Sequence, residues 1–242
     1  MNRLVLIAIL AALAAAAQTP AQTGAIQGTV MSEEGQPIAG ATVLYARTLA
    51  FKPRVQGEAP YQLAPGETVV SSSVTTDSAG IFLADRLPAG TYLVCAEAYD
   101  QRFLNPCKWS AAYSAAVTGG GAVTLPVVMQ SGVFLTVHVN DPKGLLPRAA
   151  ASPLDFPHLI VGVVYGEGGF LAADTISIDS GGRDFRMPIR AGTPLKLWLQ
   201  SRYVTLADAN SAPVDNNGAR IPFQGAAGTD LAFTFQVSGA VQ

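Results

Sequence analysis

Apolar and polar residues alternate with a period of two along much of this chain, which is the pattern of β-strands buried on one face. Residues 24–31 show it first, because Ile26, Gly28 and Val30 fall on one side of an extended chain. The same pattern, interrupted by turns rich in glycine and proline, predicts further strands at 41–47, 68–76, 81–87, 91–100 and 122–130. Pro126 lacks an N–H group, so the last of these is expected to be an edge strand or to carry a bulge.

The second half of the chain has the same kind of pattern. Six strand-like runs are expected at 132–141, 158–166, 170–179, 184–190, 195–206 and 231–240. Turn residues separate them, as in a sandwich of short strands. We therefore predict an all-β fold with two β-sandwich domains in tandem, at residues 24–130 and 131–242, although no sequence repeat clearly relates the two halves.

Three stretches of the first half have a more specific pattern, namely "GAIQGTV", "GQPIAGATVLY" and "TTDSAGIFLADRLPAGTYLVCAEA". They resemble the carboxypeptidase regulatory-like domain, whose pattern is a strand with G-x-V, a turn with G-x-P-I-x-G-A-x-V and a closing T-D-x-x-G-x-F-x-x-x-x-L-P-x-G-x-Y. The resemblance covers roughly residues 24–130 and implies a seven-stranded sandwich of the transthyretin-like type. Modules of this family are appended to proteins with many different roles, so the resemblance implies no particular activity. For residues 131–242 we find no such resemblance.

The N-terminus has the features of an export signal. Arg3 precedes an apolar stretch at residues 4–17, which ends in Ala15-Ala16-Ala17, and this predicts a signal peptide over residues 1–17. The stretch is shorter than the ~20 residues that a membrane-spanning helix needs. We expect a secreted, periplasmic or cell-envelope protein with no membrane span after cleavage; an uncleaved N-terminal anchor is the alternative.

Charge and cysteine content restrict the partners. The formal net charge is −2 and basic residues form no run, so we predict no binding to nucleic acid. Cys95 and Cys107 are the only cysteines, and a single pair in an exported protein is expected to form a disulfide. That bond would hold the loop after strand 91–100 against the strand.

No catalytic motif is visible. His138 and His158 are the only histidines, and neither belongs to an H-E-x-x-H motif, so a zinc peptidase is excluded and we predict no metal and no cofactor. His138 alternates with apolar neighbours and is expected on the polar face of a strand. The sequence contains no G-x-S-x-G. We predict a protein that is not an enzyme, while a hydrolase with paired carboxylates stays an open alternative, because spatial pairing is invisible in a sequence.

Two kinds of binding site remain as alternatives. Calcium prefers oxygen ligands, and a cluster of side chains offers them at Asp208, Asn210, Asp215, Asn216 and Asn217. Their spacing does not fit an EF-hand, and the turn of a polar hairpin would account for the same residues.

Carbohydrate is the other option, because related sandwiches include starch-binding-like domains. Trp109 and Tyr113 follow Cys107 closely, and Tyr61 lies with Phe51 in a long loop at residues 48–67. Trp109, Tyr113 and Tyr61 are the ligand-binding candidates, although each could instead pack against the sandwich. The sequence thus predicts a non-enzymatic binding or structural module whose partner is a glycan or another envelope protein.

Overall fold

The computed structural model describes residues 22–53, 62–98, 101–146, 158–166, 168–179, 181–215 and 217–241. The expected signal peptide and Tyr61 lie outside these ranges. Within them, the regular secondary structure consists of strands apart from a single helix of four residues, and this confirms the predicted all-β fold. No helix in the described ranges is long and apolar enough to cross a membrane.

The first half forms two facing sheets. Its strands are β1 (Gly24–Ser32), β2 (Thr42–Arg47), β3 (Ser71–Thr75), β4 (Ile81–Leu87), β5 (Gly90–Glu97), β6 (Phe103–Leu104), β7 (Tyr113–Val117), β8 (Ala122–Thr124) and β9 (Val127–Ser131). One sheet has the order β4-β1-β9-β6, with β8 also paired to β1, and the other has the order β3-β2-β5-β7. Their inner faces share a core that includes Ile26, Val43, Phe82, Tyr92 and Val127.

The second half forms a second pair of sheets around its own core. Its strands are β10 (Val133–Asn140), β11 (Ile160–Tyr165), β12 (Gly169–Ala172), β13 (Asp174–Ile178), β14 (Gly182–Ile189), β15 (Pro194–Gln200), β16 (Val204–Asp208), β17 (Pro213–Val214), β18 (Asn217–Gln224) and β19 (Leu231–Ala240). The sheet orders are β13-β14-β10-β19-β16-β17 and β12-β11-β15-β18. Leu135, Val163, Phe185, Leu197 and Phe235 are among the residues of this core.

The two halves share one strand topology, although no clear sequence repeat relates them. In each, the first strand lies between an antiparallel neighbour (β4 or β14) and the last strand (β9 or β19), to which it runs parallel. The opposite sheet then follows the same order, β3-β2-β5-β7 in the first half and β12-β11-β15-β18 in the second. Beside the last strand, β6 in the first half and β16 in the second run antiparallel to it. The second half is therefore the same sandwich with two extra edge strands, β13 and β17.

Several strand boundaries differ from those predicted. The strand expected at 122–130 is interrupted at Leu125 and Pro126, between β8 and β9, because the proline cannot donate to the ladder. The runs at 170–179 and 195–206 are each two strands. Strands β6, β7, β17 and β18 were not predicted, because they are very short or are exposed on one side without strong alternation.

Gly28 lies on β1 where its partner changes from β8 to β9. A Cβ atom there would overlap the carbonyl oxygen of Leu125, and a backbone atom cannot move aside cheaply. We expect Gly28→Ala to lower the free energy of unfolding by about 2 kcal/mol through this overpacking, as measured by urea denaturation. Gly239→Ala on β19, where the nearest atom is a side-chain oxygen 3.3 Å away, is the control. Equal losses in the two variants would contradict the close approach at Gly28.

Candidate functional site

The predicted disulfide is present and joins strand β5 to the only helix of the described chain. Cys95 lies on β5 and Cys107 on helix α1 (Pro106–Trp109), with their Cα atoms 5.7 Å apart. The segment after β5, expected to be a loop, is thus partly a one-turn helix held on the outside of the sheet.

The sequence around Cys107 explains why a helix forms there. Asn105 caps it, because its side-chain oxygen accepts a hydrogen bond from the Cys107 N–H at 2.8 Å. Pro106 occupies the first helical position, where its missing N–H costs nothing. On β5, the buried carboxylate of Glu97 accepts a hydrogen bond from the Asn105 amide at 2.6 Å and pairs with the Lys108 ammonium at 3.1 Å. Helix α1 is therefore fixed to β5 by a covalent bond and two polar contacts.

Trp109, the last residue of α1, lies against the second half of the chain. Its ring is half-buried on the second core and its centroid is 5.8 Å from that of Tyr165. The Trp109 carbonyl accepts a hydrogen bond at 2.9 Å from Arg190, whose guanidinium also donates to Gln130. Trp109 therefore connects the two sandwiches, and its assignment to ligand binding stays a prediction.

The chain passes between the sandwiches through a single residue, Gly132. Its N–H donates to the carbonyl of Arg102 at 2.6 Å, and an added Cβ atom would come within 2.8 Å of the Ile189 carbonyl oxygen. Close by, the Arg102 guanidinium pairs with Asp230 at 2.7 Å. We call this region, with α1 and Trp109, the junction; its short, packed connection leaves little freedom between the two sandwiches.

Two carboxylates border a small cavity at the junction. Glu97 and Asp174 line it together with Trp109 and Met187, and its volume is about 30 Å³. This is room for one or two water molecules, so no sugar ring can enter between the acids. The open alternative of a hydrolase thus finds no substrate space at this pair.

Tyr113 and Phe51 make contacts within the first sandwich. The Tyr113 hydroxyl donates to the carbonyl of Val128 and accepts from its N–H, both at 3.0 Å, so Tyr113 links the edge strand β7 to β9. Phe51 is half-exposed and forms an isolated bridge with Leu63. Tyr61 lies outside the described residues, and ligand binding by Tyr113 and Tyr61 stays a prediction.

The polar cluster around Asp208 consists of turns. The Asp208 carboxylate accepts hydrogen bonds from the N–H groups of Asn210 and Ala212, and that of Asp215 accepts from Asn217. These side chains mimic backbone turns. Nowhere in the described ranges do three or more histidine, cysteine or acidic side chains come together as metal ligands.

His138 lies on the outer face of β10, as expected, and both of its ring nitrogens make hydrogen bonds. Nδ1 is 2.5 Å from an Asp184 carboxylate oxygen and Nε2 is 2.7 Å from the side-chain oxygen of Asn140. The second oxygen of Asp184 accepts from the Ser177 hydroxyl at 2.7 Å. The serine is therefore hydrogen-bonded to the acid and not to the histidine, so the imidazole cannot activate it as in a catalytic triad.

The same contacts move two pKa values. The hydrogen bond to Asp184 raises the pKa of His138 above 6.5, and the bonds from Ser177 and His138 lower the pKa of Asp184 below 3.8. The charged His138 ring contributes fully to stability below pH 6.5, and this contribution is lost as the pH rises through its raised pKa. The ionised Asp184 carboxylate contributes fully above pH 3.8, and its contribution is lost as the pH falls through its lowered pKa.

We therefore expect the His138–Asp184 pair to stabilise the protein most between about pH 4 and 6.5. The melting temperature of the wild type should fall relative to that of His138→Gln when the pH is raised from 5.5 to 8.5. The stabilisation by this ion pair is expected to be modest, because the side chains of His138 and Asp184 are both about a third exposed to solvent. Parallel melting profiles for the two proteins would contradict this prediction.

A second aromatic group, which is not among the predicted binding residues, lies on the outer face of the β12-β11-β15-β18 sheet. The rings of Phe170 and Trp198 are 5.9 Å apart and inclined at 62°, and the Arg220 guanidinium carbon is 5.2 Å from the centre of the Trp198 ring. Together with Ile160, Val164, Gly168 and Gln200 they line an open groove of about 210 Å³. We call it the Trp198 groove.

The alternation in "LKLWLQ" could have pointed to the Trp198 groove. Leu195, Leu197 and Leu199 are buried, so Trp198 must point outward with Lys196 and Gln200.

Comparisons with known proteins address the fold only. No protein-family model matches the sequence, and a search of curated proteins finds no match either. Solved structures that are similar to this one include a streptococcal ancillary pilin (14% identity, 90% of this chain and 63% of that chain, TM-score 0.39) and the Bacillus anthracis TIE protein (13% identity, 89% and 34%, TM-score 0.34). A Pseudomonas aeruginosa protein proposed to bind carbohydrate matches 47% of this chain and 92% of its own at 19% identity, with a TM-score of 0.29.

This chain spans about a third of the Bacillus protein and under two thirds of the pilin. At these identities no role of these proteins transfers to it. Fold and junction together define an all-β protein of two like sandwiches. The contact between them is made by Trp109 of helix α1, which the disulfide fixes on the first sandwich.

Proposed function

We propose that this protein is a non-enzymatic binding or structural module outside the cytoplasm, secreted or associated with the cell envelope, in which the two sandwiches act as one rigid unit. The observation that carries the proposal is the junction. There the Cys95–Cys107 disulfide fixes α1 on the first sandwich, and Trp109 of α1 packs on the second core.

The disulfide supports a location outside the cytoplasm, since such bonds persist mainly in oxidising compartments. The one-residue connection at Gly132 and the Arg102–Asp230 pair support a rigid unit. A non-enzymatic role is supported by the geometry at two places, within the described residues, where acids or a histidine could act in catalysis. At one, both nitrogens of His138 are engaged; at the other, the space between Glu97 and Asp174 is too small for a substrate.

Thiol trapping tests the location. Cells that make the full chain are lysed in excess maleimide, and the protein is analysed by mass spectrometry with and without prior reduction. We expect no labelled cysteine before reduction and two after it. Two labelled cysteines in unreduced samples would contradict a location in an oxidising compartment.

Turnover assays test the absence of catalysis. Purified protein is incubated with ester, peptide and glycoside substrates, and no rate above that of buffer is expected. A rate that disappears in His138→Gln or in Glu97→Gln would show that the protein is a hydrolase.

A further inference from the structure

The Trp198 groove has the composition of a ligand site. Concave sites in proteins are lined mainly by apolar and aromatic side chains and carry a few polar groups that orient the ligand. Here Ile160, Val164, Phe170 and Trp198 supply the apolar surface, and Gln200 and Arg220 supply the polar groups.

Two glycines allow the aromatic rings to lie close to the sheet. A Cβ atom at Gly162 would come within 2.8 Å of Phe170 ring atoms, and one at Gly218 would come 2.6 Å from Trp198 ring atoms. Gly218 also has a φ of +108°, a conformation that L side chains rarely adopt. The rings therefore rest on the backbone of β11 and β18, which holds them in place before any ligand arrives.

Strand pairing fixes the position of the charged group. Gly162, Trp198 and Arg220 are direct cross-strand neighbours on β11, β15 and β18. The guanidinium lies over the indole at cation–π distance, and among the residues that the structure describes Arg220 is the only charged one that lines the groove. An occupant is therefore expected to combine a flat apolar face with an acceptor, and a carboxylate can accept two parallel hydrogen bonds from arginine.

We propose that the Trp198 groove binds one ring of an acidic saccharide, such as a uronic acid residue. The C–H groups on one face of a pyranose ring pack on Trp198 and Phe170, its hydroxyls reach Gln200, and its carboxylate pairs with Arg220. This assigns saccharide binding to the second sandwich, and not to the predicted candidates Trp109, Tyr113 and Tyr61.

Affinity electrophoresis of the full chain, in native gels that contain polygalacturonate, alginate or hyaluronate, tests this proposal. Gels with dextran and with polyglutamate serve as a neutral sugar and as an anion without sugar rings. We expect at least one acidic polysaccharide to reduce the mobility more than twofold relative to a gel without polymer. Dextran should retard the protein less, and polyglutamate should have no effect.

Variants assign the binding to the groove. Phe170→Ala and Trp198→Ala should abolish the retardation, and the exposed Arg220→Gln, which should leave the fold intact, should reduce it to the level seen with dextran. Phe51→Ala removes a half-exposed aromatic ring from the other sandwich and should change nothing. Circular dichroism and melting curves of each variant exclude unfolding as the cause.

Three results would overturn the proposal: no retardation in any acidic polysaccharide, equal retardation by polyglutamate, or retardation that Phe170→Ala and Arg220→Gln leave unchanged. None of them bears on the proposed function, which rests on the disulfide and the junction and is tested by thiol trapping.

Discussion

Removal of the Cys95–Cys107 disulfide is expected to lower the free energy of unfolding by about 3 kcal/mol. The bond closes a loop of 13 residues, counting both cysteines, since their separation is 12. Closing a loop of that size restricts the unfolded chain by about this amount. Urea denaturation of the wild type with and without dithiothreitol measures the difference.

The double variant Cys95→Ala/Cys107→Ala is the matched control for the reductant. It should denature at the urea concentration of the reduced wild type and should not respond to dithiothreitol. If reduction of the wild type, verified by thiol labelling, left its midpoint unchanged, the bond would contribute nothing to stability.

Truncation of Trp109 is expected to have an effect of similar size. Trp109→Ala should cost about 3 kcal/mol, the lower end of the range for buried aromatic residues, because the ring is only half-buried. It should also separate the unfolding of the two sandwiches, because the ring that packs on Tyr165 is lost. Differential scanning calorimetry should show one transition for the wild type and two for the variant.

Phe51→Ala is the control for the loss of an aromatic ring, since Phe51 is half-exposed and distant in sequence from the junction. Its stability should lie within about 0.5 kcal/mol of the wild type, as for most surface substitutions. If Trp109→Ala were as stable as Phe51→Ala and melted in one transition, the junction would not couple the sandwiches through this ring.

Much of the fold could be predicted from the sequence because buried strands impose alternation. Strands β1, β4, β10 and β19 begin and end within two residues of the expected positions. Strand β18 was missed because it packs on one side only, and its outward residues include Arg220 and Pro222. The shared topology of the two halves was also missed, since strand order depends on pairing between distant segments.

The candidate site, too, could be predicted from the sequence only in part. Two cysteines in a chain expected to be exported were enough to predict the disulfide, which is confirmed. The surface that Trp109 meets depends on Tyr165 and Arg190, which are distant in sequence. The Asp184 partner of His138 is 46 residues away for the same reason. Sequence patterns placed these residues on their elements, and only the folded chain brings the partners together.

The parallel pairing of first and last strands has a mechanical consequence. Because β1 runs parallel to β9, and β10 parallel to β19, the chain enters each sandwich at one end and leaves it at the other. Tension applied across either sandwich would pull these neighbours in opposite directions along their length. Their inter-strand hydrogen bonds would then be loaded in shear and would have to break together, instead of opening one after another.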